Sequence, residues 1–369
     1  MEDMVTDLSF WKGKRVFVTG HTGFKGAWLS HILTHAGAEL TGYALPPPTE
    51  PNLFSICQVG SKMKSVIGDI RDRNALLKAF RNCSPEVVIH MAAQPIVWES
   101  YREPAYTYET NVMGTVNILE IVRLSILDEQ VDYVRSVLNV TTDKVYSNNE
   151  WEWGYRETDT LGGFDPYSNS KACSEMVTQS YLDSFFRDKG VAVSTARSGN
   201  VIGGGDFAND RIVPDTIRAI EKNEKILVRR PNSIRPYQHV LEPLFAYLLI
   251  AEKQYANSDY AGCYNIGPDE DDCVTTGILV DLFCKHWGEG LFWESGNISG
   301  PHEAGFLKLD SSKMKSTFNW KPSLNINAAV EKTVEWTKAY LRNEDIMAVM
   351  DRQLGEYAIN ISKKNQIWS

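Results

Sequence analysis

The run Arg15-Val16-Phe17-Val18-Thr19 passes directly into Gly20-His21-Thr22-Gly23-Phe24-Lys25-Gly26, and an apolar helical pattern follows over residues 24–36. Few backbone paths take a buried strand into a helix within so short a turn. Glycines at 20, 23 and 26 remove the side chains that would obstruct it and leave backbone N–H groups open to a charged ligand. The helix behind them adds the positive end of its dipole. This is the opening unit of a parallel sheet, with a turn that suits the pyrophosphate of a dinucleotide. Gly20, Gly23, Phe24, Lys25 and Gly26 are therefore candidate cofactor-binding residues.

The same rhythm continues. Short apolar strands are expected at 39–43, 64–67, 87–90, 136–141 and 192–197, with helices at 74–81, 105–124 and 167–187 between them. Such alternation predicts an α/β fold, a doubly wound parallel Rossmann sheet. After Asn200 the pattern breaks into short segments punctuated by Gly203-Gly204-Gly205, Pro214, Pro231 and Pro236. A late strand is expected at 264–266 and a closing helix at 327–340. The chain divides accordingly into a cofactor domain at 1–197, with a later strand returning near 238–267, and a smaller mixed C-terminal substrate domain at 198–369.

Further cofactor candidates lie where strands end. Asp69 and Ile70 follow the third strand, where a carboxylate could accept from an adenine amino group. Ala92, Ala93 and Gln94 follow the fourth and leave room for a ligand; Asn111 and Thr141 complete the set. Dinucleotide turns usually place an acid ~20 residues beyond the glycines to hold the ribose. Residues 44–48 contain none, so the cofactor is expected to be held less tightly.

Tyr167 and Lys171 stand one helical turn apart and project from one face. The ammonium, together with an oxidised nicotinamide, is expected to lower the phenol from its usual pKa of about 10 and make it a base. Thr142-Asp143-Lys144 ends the fifth strand and adds a second acid/base pair, which simple alcohol oxidation does not need. That surplus points to elimination as well as oxidation. Asn200, Arg211, Arg235 and His239 are candidate substrate ligands, since guanidinium forks match diphosphate oxygens. His302-Glu303, near Lys308, is a further candidate cap, and residues 150–156 read as a mobile aromatic loop beside the active face.

A net charge of -9 argues against general nucleic-acid binding. Six scattered cysteines without a C-x-x-C pair suggest reduced, mostly buried thiols in a cytoplasmic protein. Cys273, Cys284 and His286 lack a fourth ligand at suitable spacing, so no metal is expected. The first ten residues do not form a secretory signal. The longest apolar run, 244–251, is far short of the ~20 residues that span a bilayer.

Together, the residues 19–26, Thr141-Thr142-Asp143-Lys144-Val145-Tyr146, Asp165-Pro166-Tyr167-Ser168-x-Ser170-Lys171 and Arg235-Pro236-Tyr237-Gln238-His239-Val240 resemble the extended short-chain dehydrogenase/reductases. Within them the chain is most similar to the CDP-glucose 4,6-dehydratases. The resemblance covers nearly the whole length, including Phe10-Trp11-x-Gly13-Lys14 and Asn200-Val201-Ile202-Gly203-Gly204-Gly205-Asp206. Lys144 is the discriminating residue: dehydratases of dTDP-glucose carry Glu there, and 4-epimerases lack the pair. Tyr237 departs from the commoner Trp but keeps an aromatic plane.

The resemblance implies NAD as cofactor and CDP-glucose as substrate. Tyr167, helped by Lys171 and Thr142, would take the C4 hydroxyl proton as hydride passes to NAD. Lys144 would remove the C5 proton, Asp143 would protonate the departing C6 hydroxyl, and hydride would return to C6. The product would be CDP-4-keto-6-deoxyglucose, for lipopolysaccharide sugars. A dimer or tetramer is expected, with the helices at 105–124 and 167–187 between subunits. A 4-epimerase, a reductase consuming NAD(P)H and a non-catalytic dinucleotide sensor remain as rival readings.

Overall fold

In this computed structural model, residues 8–127, 134–288, 290–296 and 304–366 are described. Seven strands form the central sheet: β1 (Arg15–Thr19), β2 (Glu39–Ala44), β3 (Lys64–Ile67), β4 (Val87–His90), β5 (Ser136–Thr142), β6 (Ala192–Ser198) and β7 (Cys263–Ile266). Their order is 3-2-1-4-5-6-7 and every pairing is parallel. Strands β4, β5 and β6 are buried at every residue. Strands in that position have both faces covered, so the polar side chains of β5 and β6 are buried as well, Asn139 donating to Ser174 and Thr178 and Arg197 pairing with Glu175. The order reverses between β1 and β4, so the crevice beyond their C-terminal ends is the natural ligand position.

Helices α1 (Phe24–His35) and α2 (Arg73–Arg81) follow β1 and β3. The Asp72 carboxylate caps α2 by accepting from the Asn74 and Ala75 N–H groups. The expected helix at 105–124 is Pro104–Tyr108 joined by a π turn at Glu109–Met113 to α3 (Gly114–Ile126). α4 (Pro166–Tyr181) starts at a strong signal: Asp165 accepts from Ser168 N–H, and proline occupies the first turn. A π turn at Leu182–Phe186 continues it.

The return to the sheet contains an unexpected element. α5 (Leu241–Ala256) packs on β5 and β6 and leads into β7, so a helix precedes the anticipated late strand. Its Glu242 is buried, yet accepts from Ser323 N–H, Leu324 N–H and the Tyr357 hydroxyl at 2.8, 2.6 and 2.9 Å. Two closing helices, α6 (Ile326–Leu341) and α7 (Ile346–Gln366), complete this side. Beyond β6, short pairs join Val201–Ile202 to Gln238–His239, Ile234–Arg235 to Val274–Thr275, and Ile226–Val228 to Trp293–Ser295. A separate apolar cluster around Val213, Leu279, Phe283 and Val330 supports them.

The cysteines are less buried than expected. All six are free thiols, but only Cys57 and Cys284 are buried; Cys173 lies mid-way along α4, and Cys83, Cys263 and Cys273 at or beyond element ends. Among the described residues no helix is long and apolar enough to cross a membrane.

Candidate active site

The glycine turn owes its shape to close approach. Gly20 has φ +80°, and a Cβ there would lie 2.8 Å from the Ala92 backbone nitrogen; at Gly26 it would lie 2.0 Å from the Gly20 carbonyl oxygen. Thr19 fixes the facing segment, its hydroxyl accepting from the Met91 and Ala92 N–H groups at 3.1 Å each. A Cβ at Gly23 would meet nothing nearer than 3.6 Å, and no side chain caps the start of α1. The first-turn N–H groups therefore need an outside acceptor, which a pyrophosphate supplies. These residues fit a dinucleotide.

The other cofactor candidates are more committed to the protein itself. Asn111 accepts from Gln94 N–H at 2.8 Å and donates to the Gln94 carbonyl and to Ser170. The Gln94 amide donates to Thr107 at 2.9 Å and accepts from Ile96 N–H at 2.6 Å. The pair thus ties the end of β4 to α4. Asp69 holds the Arg71 guanidinium through both oxygens, and Arg71 keeps its carboxyl below the usual range. Ile70 is buried behind it.

A cavity of about 710 Å³ opens beside the turn, beyond the ends of β5 and β6. Phe24, Lys25, Thr141, Thr142, Lys144, Tyr167, Asn200, Arg211 and Arg235 all line it. Asp143 lies just behind, fully buried; its Oδ1 accepts from the Thr142 hydroxyl at 3.0 Å and the Lys144 ammonium at 3.2 Å. Its Oδ2 is buried with no partner. Lys144 donates also to Asn200 Oδ1 at 3.3 Å. Lys171 is buried and donates to the Val140 carbonyl at 3.1 Å.

The phenol departs from expectation. Burial, reinforced by Asp143, pushes Tyr167 up to about 12, and the Thr142 hydroxyl and Arg211 only partly offset this. The expected lowering by Lys171 does not appear. Burial also pushes that ammonium down to about 8, with Glu175 opposing, and its hydrogen bond is to a backbone carbonyl. Glu175 lies one further turn along α4 and forms a buried ion pair with Arg197, while accepting from Thr141 at 2.5 Å and Thr195 at 3.1 Å.

His239 does not reach the cavity. The short strand Gln238–His239 turns its ring towards Trp28, 6.5 Å away between centroids, and burial pushes its pKa down to about 3. Arg235 reaches the cavity but also donates to the carbonyls of Ile234 and Ala304. His302 and Glu303 lie outside the described residues. The aromatic loop is anchored: Trp151 stacks on Tyr155 at 5.6 Å and Tyr155 on Tyr146 at 5.1 Å, with Glu150 at the cavity wall.

Among the cavity residues that escaped the sequence reading are Trp98, Arg229 and Arg230. Arg229 lies 5.5 Å from the Trp98 ring centroid and 3.7 and 3.6 Å from Asp210 and Asp215. The Arg-Arg-Pro sequence at 229–231 is the one signal for the two arginines.

The comparisons agree with this geometry. The chain is 46% identical over 357 residues to the CDP-glucose 4,6-dehydratase of Salmonella typhimurium, covering 95% of this chain and 98% of that one. The NAD complex of the Bacillus anthracis dTDP-glucose 4,6-dehydratase shares the fold, with TM-score 0.73 and 21% identity over 91% of this chain and 99% of the other. The Thermotoga maritima UDP-glucose 4-epimerase also shares it, with TM-score 0.74 and 22% identity over 88% and 99%. The profile of the GDP-mannose 4,6 dehydratase family matches residues 17–333. With the glycine turn, the Thr-Asp-Lys strand end and the Tyr-x-x-x-Lys helix on one cavity, the chain belongs to the GDP-mannose 4,6 dehydratase family.

Proposed function

We propose that this chain is an NAD-dependent hydro-lyase that converts CDP-glucose to CDP-4-keto-6-deoxyglucose. The observation that carries the reading is the Asp143–Lys144 pair, held at 3.2 Å, with Lys144 on the cavity wall that Tyr167 also lines and Asp143 buried just behind it. Oxidation alone leaves that pair without a task. The CDP-glucose preference rests on the relative that is 46% identical over 95% of the chain.

The glycine turn and the first turn of α1 would hold the cofactor's pyrophosphate. NAD, when bound, supplies the acceptor for the C4 hydride, returns it at C6, and brings a positive charge towards the phenol. Tyr167 takes the C4 hydroxyl proton, with Thr142 orienting the hydroxyl. Lys144, steered by Asn200, removes the C5 proton that the new ketone acidifies. Asp143 protonates the departing C6 hydroxyl, so water leaves, and C5 is later reprotonated from a group that exchanges with solvent. Arg211, Arg235, Arg229 and Arg230 offer guanidinium groups to the diphosphate.

Residues 1–197, their sheet completed by β7, would form the cofactor domain, and residues 198–369 mainly the substrate domain. Tyr108, Met113, Met176 and Phe185 are exposed on and beside α3 and α4, which supports a homo-oligomer through those helices. A cytoplasmic role in lipopolysaccharide sugar synthesis fits such a product.

The test is isotopic. CDP-glucose deuterated at C4 should give product labelled at C6, unlabelled substrate in deuterated water should gain deuterium at C5, and NAD should show no net change. Turnover without loss of water, or product without label at C6, would overturn the reading.

A further inference from the structure

Lys25 is the second residue of α1, at a position where the turn needs only a backbone N–H. Its side chain does not run out to solvent. The ammonium lines the cavity and donates to the Tyr247 hydroxyl at 3.4 Å, 5.6 Å from that ring's centroid. Tyr247, on α5, shares a 2.7 Å hydrogen bond with Ser198 at the end of β6. The partner of Lys25 is thus a phenol, and its charge is not neutralised there.

Three other charged groups face it. Lys171 comes from α4, Arg211 from the loop before Ile212–Glu221, and Asp143 from the end of β5. Arg211 is matched by Asp206 at 3.0 Å, and Asp143 by Lys144 at 3.2 Å. Lys171 has only a backbone carbonyl. Two ammonium groups without a carboxylate hydrogen-bond partner, Lys25 and Lys171, therefore border the space between the glycine turn and Tyr167. Given the function proposed above, on which this inference rests, the ring that accepts hydride must lie in that space, because the carbon it serves carries the hydroxyl that Tyr167 deprotonates.

We propose that Lys25 sets the redox preference of the bound dinucleotide: its ammonium disfavours the cationic oxidised ring and leaves the neutral reduced ring almost unaffected. Like charges at close range in a cleft repel strongly, and a neutral ring escapes that term. Such a charge makes NAD a stronger oxidant of the C4 alcohol and loosens the oxidised form in the resting enzyme. The missing ribose acid at 44–48 would weaken both forms alike, so the two causes separate by experiment. Burial and the like charges of Lys171 and Arg211 bring Lys25 down to about 7. The discrimination is therefore strongest on the acid side, where Lys25 is charged, and fades as pH rises past neutrality.

The test is calorimetric titration of the full-length protein with NAD and with NADH, without sugar nucleotide. In Lys25→Met, NAD should bind about tenfold more tightly and NADH should change by less than about threefold. Lys25→Arg should keep the wild-type ratio of the two constants. In the wild type that ratio should fall between about pH 6 and pH 8, and in Lys25→Met the step near 7 should be gone, leaving only the change near 8 from Lys171. The wild-type titration stands even if a variant fails to fold. Equal weakening of both forms in Lys25→Met would overturn the inference by making Lys25 a plain pyrophosphate ligand. An unchanged ratio in Lys25→Met, or a pH-independent ratio in the wild type, would also overturn it. If the wild type binds neither dinucleotide, the NAD reading itself falls and this inference with it.

Discussion

Tyr167 carries one hydroxyl that the proposed reaction cannot do without. Phenylalanine keeps the buried ring, so Tyr167→Phe should fold normally while turnover falls by roughly 10²–10⁴-fold, as for removal of a positioned acid/base. Wild-type turnover in that variant would remove Tyr167 from the base role. Asp143→Asn should act later: oxidation at C4 continues, product does not form, and absorbance of reduced cofactor accumulates in a stopped-flow trace. At this scale the sequence is a good guide to which side chains meet and a poor guide to their charge. Tyr167 and Lys144 share one cavity as their motifs suggest, and Arg211, singled out for its guanidinium alone, joins them. The phenol's upward shift was not legible, because it comes from burial and from Asp143, both products of tertiary packing. His239 shows the same limit. Arg235 and Tyr237 of the same motif line the cavity, but the pairing of Gln238–His239 with Val201–Ile202 turns His239 towards Trp28.

Helix α4 carries a stripe at 167, 171 and 175, and its last member anchors the stripe to the sheet. Glu175 and Arg197 are each 2% exposed and fully paired. Breaking such a pair from one side strands a buried charge, so Glu175→Gln should cost about 3–5 kcal/mol in urea unfolding. Adding Arg197→Met should recover much of that loss, since removing both charges can be nearly neutral. A small loss in the single variant would mean that water reaches the guanidinium. The elements of the first half were legible because each has a local signal: the glycine turn for β1 and α1, and Asp165-Pro166 for α4. α5 was not. Leu241, Leu244, Phe245, Tyr247, Leu248 and Ile250 are all buried around its circumference, so no polar face marks the helical period. Arg229 and Arg230 were missed for a related reason, since two arginines in an irregular segment carry no periodicity at all.

Across the whole molecule, several histidines are sealed in the interior as neutral rings. Burial pushes His21 down to about 4 and both His90 and His239 down to about 3. Above the ordinary value near 6.5, folded and unfolded states are equally unprotonated at these sites. As pH falls from 6.5 towards 4, the unfolded chain takes up protons that the folded one refuses, so stability is lost over that window. Each such histidine adds up to about 1.4 kcal/mol per pH unit to the slope. Urea unfolding between pH 7 and pH 4.5 should show it, and His239→Gln should flatten the slope by one share; an unchanged slope would mean that His239 titrates normally in the folded protein. The carboxylate of Glu242 has another consequence, one of time. Its partner Tyr357 lies 115 residues further on. At the usual ~5–20 residues per second of synthesis, α5 waits about 6 to 23 seconds for that hydroxyl. A nascent chain stalled before residue 323 also lacks the Ser323 and Leu324 N–H groups that share this carboxylate, so α5 cannot bury Glu242 with its partners in place and the chain remains a substrate for chaperones and proteases however complete its cofactor half.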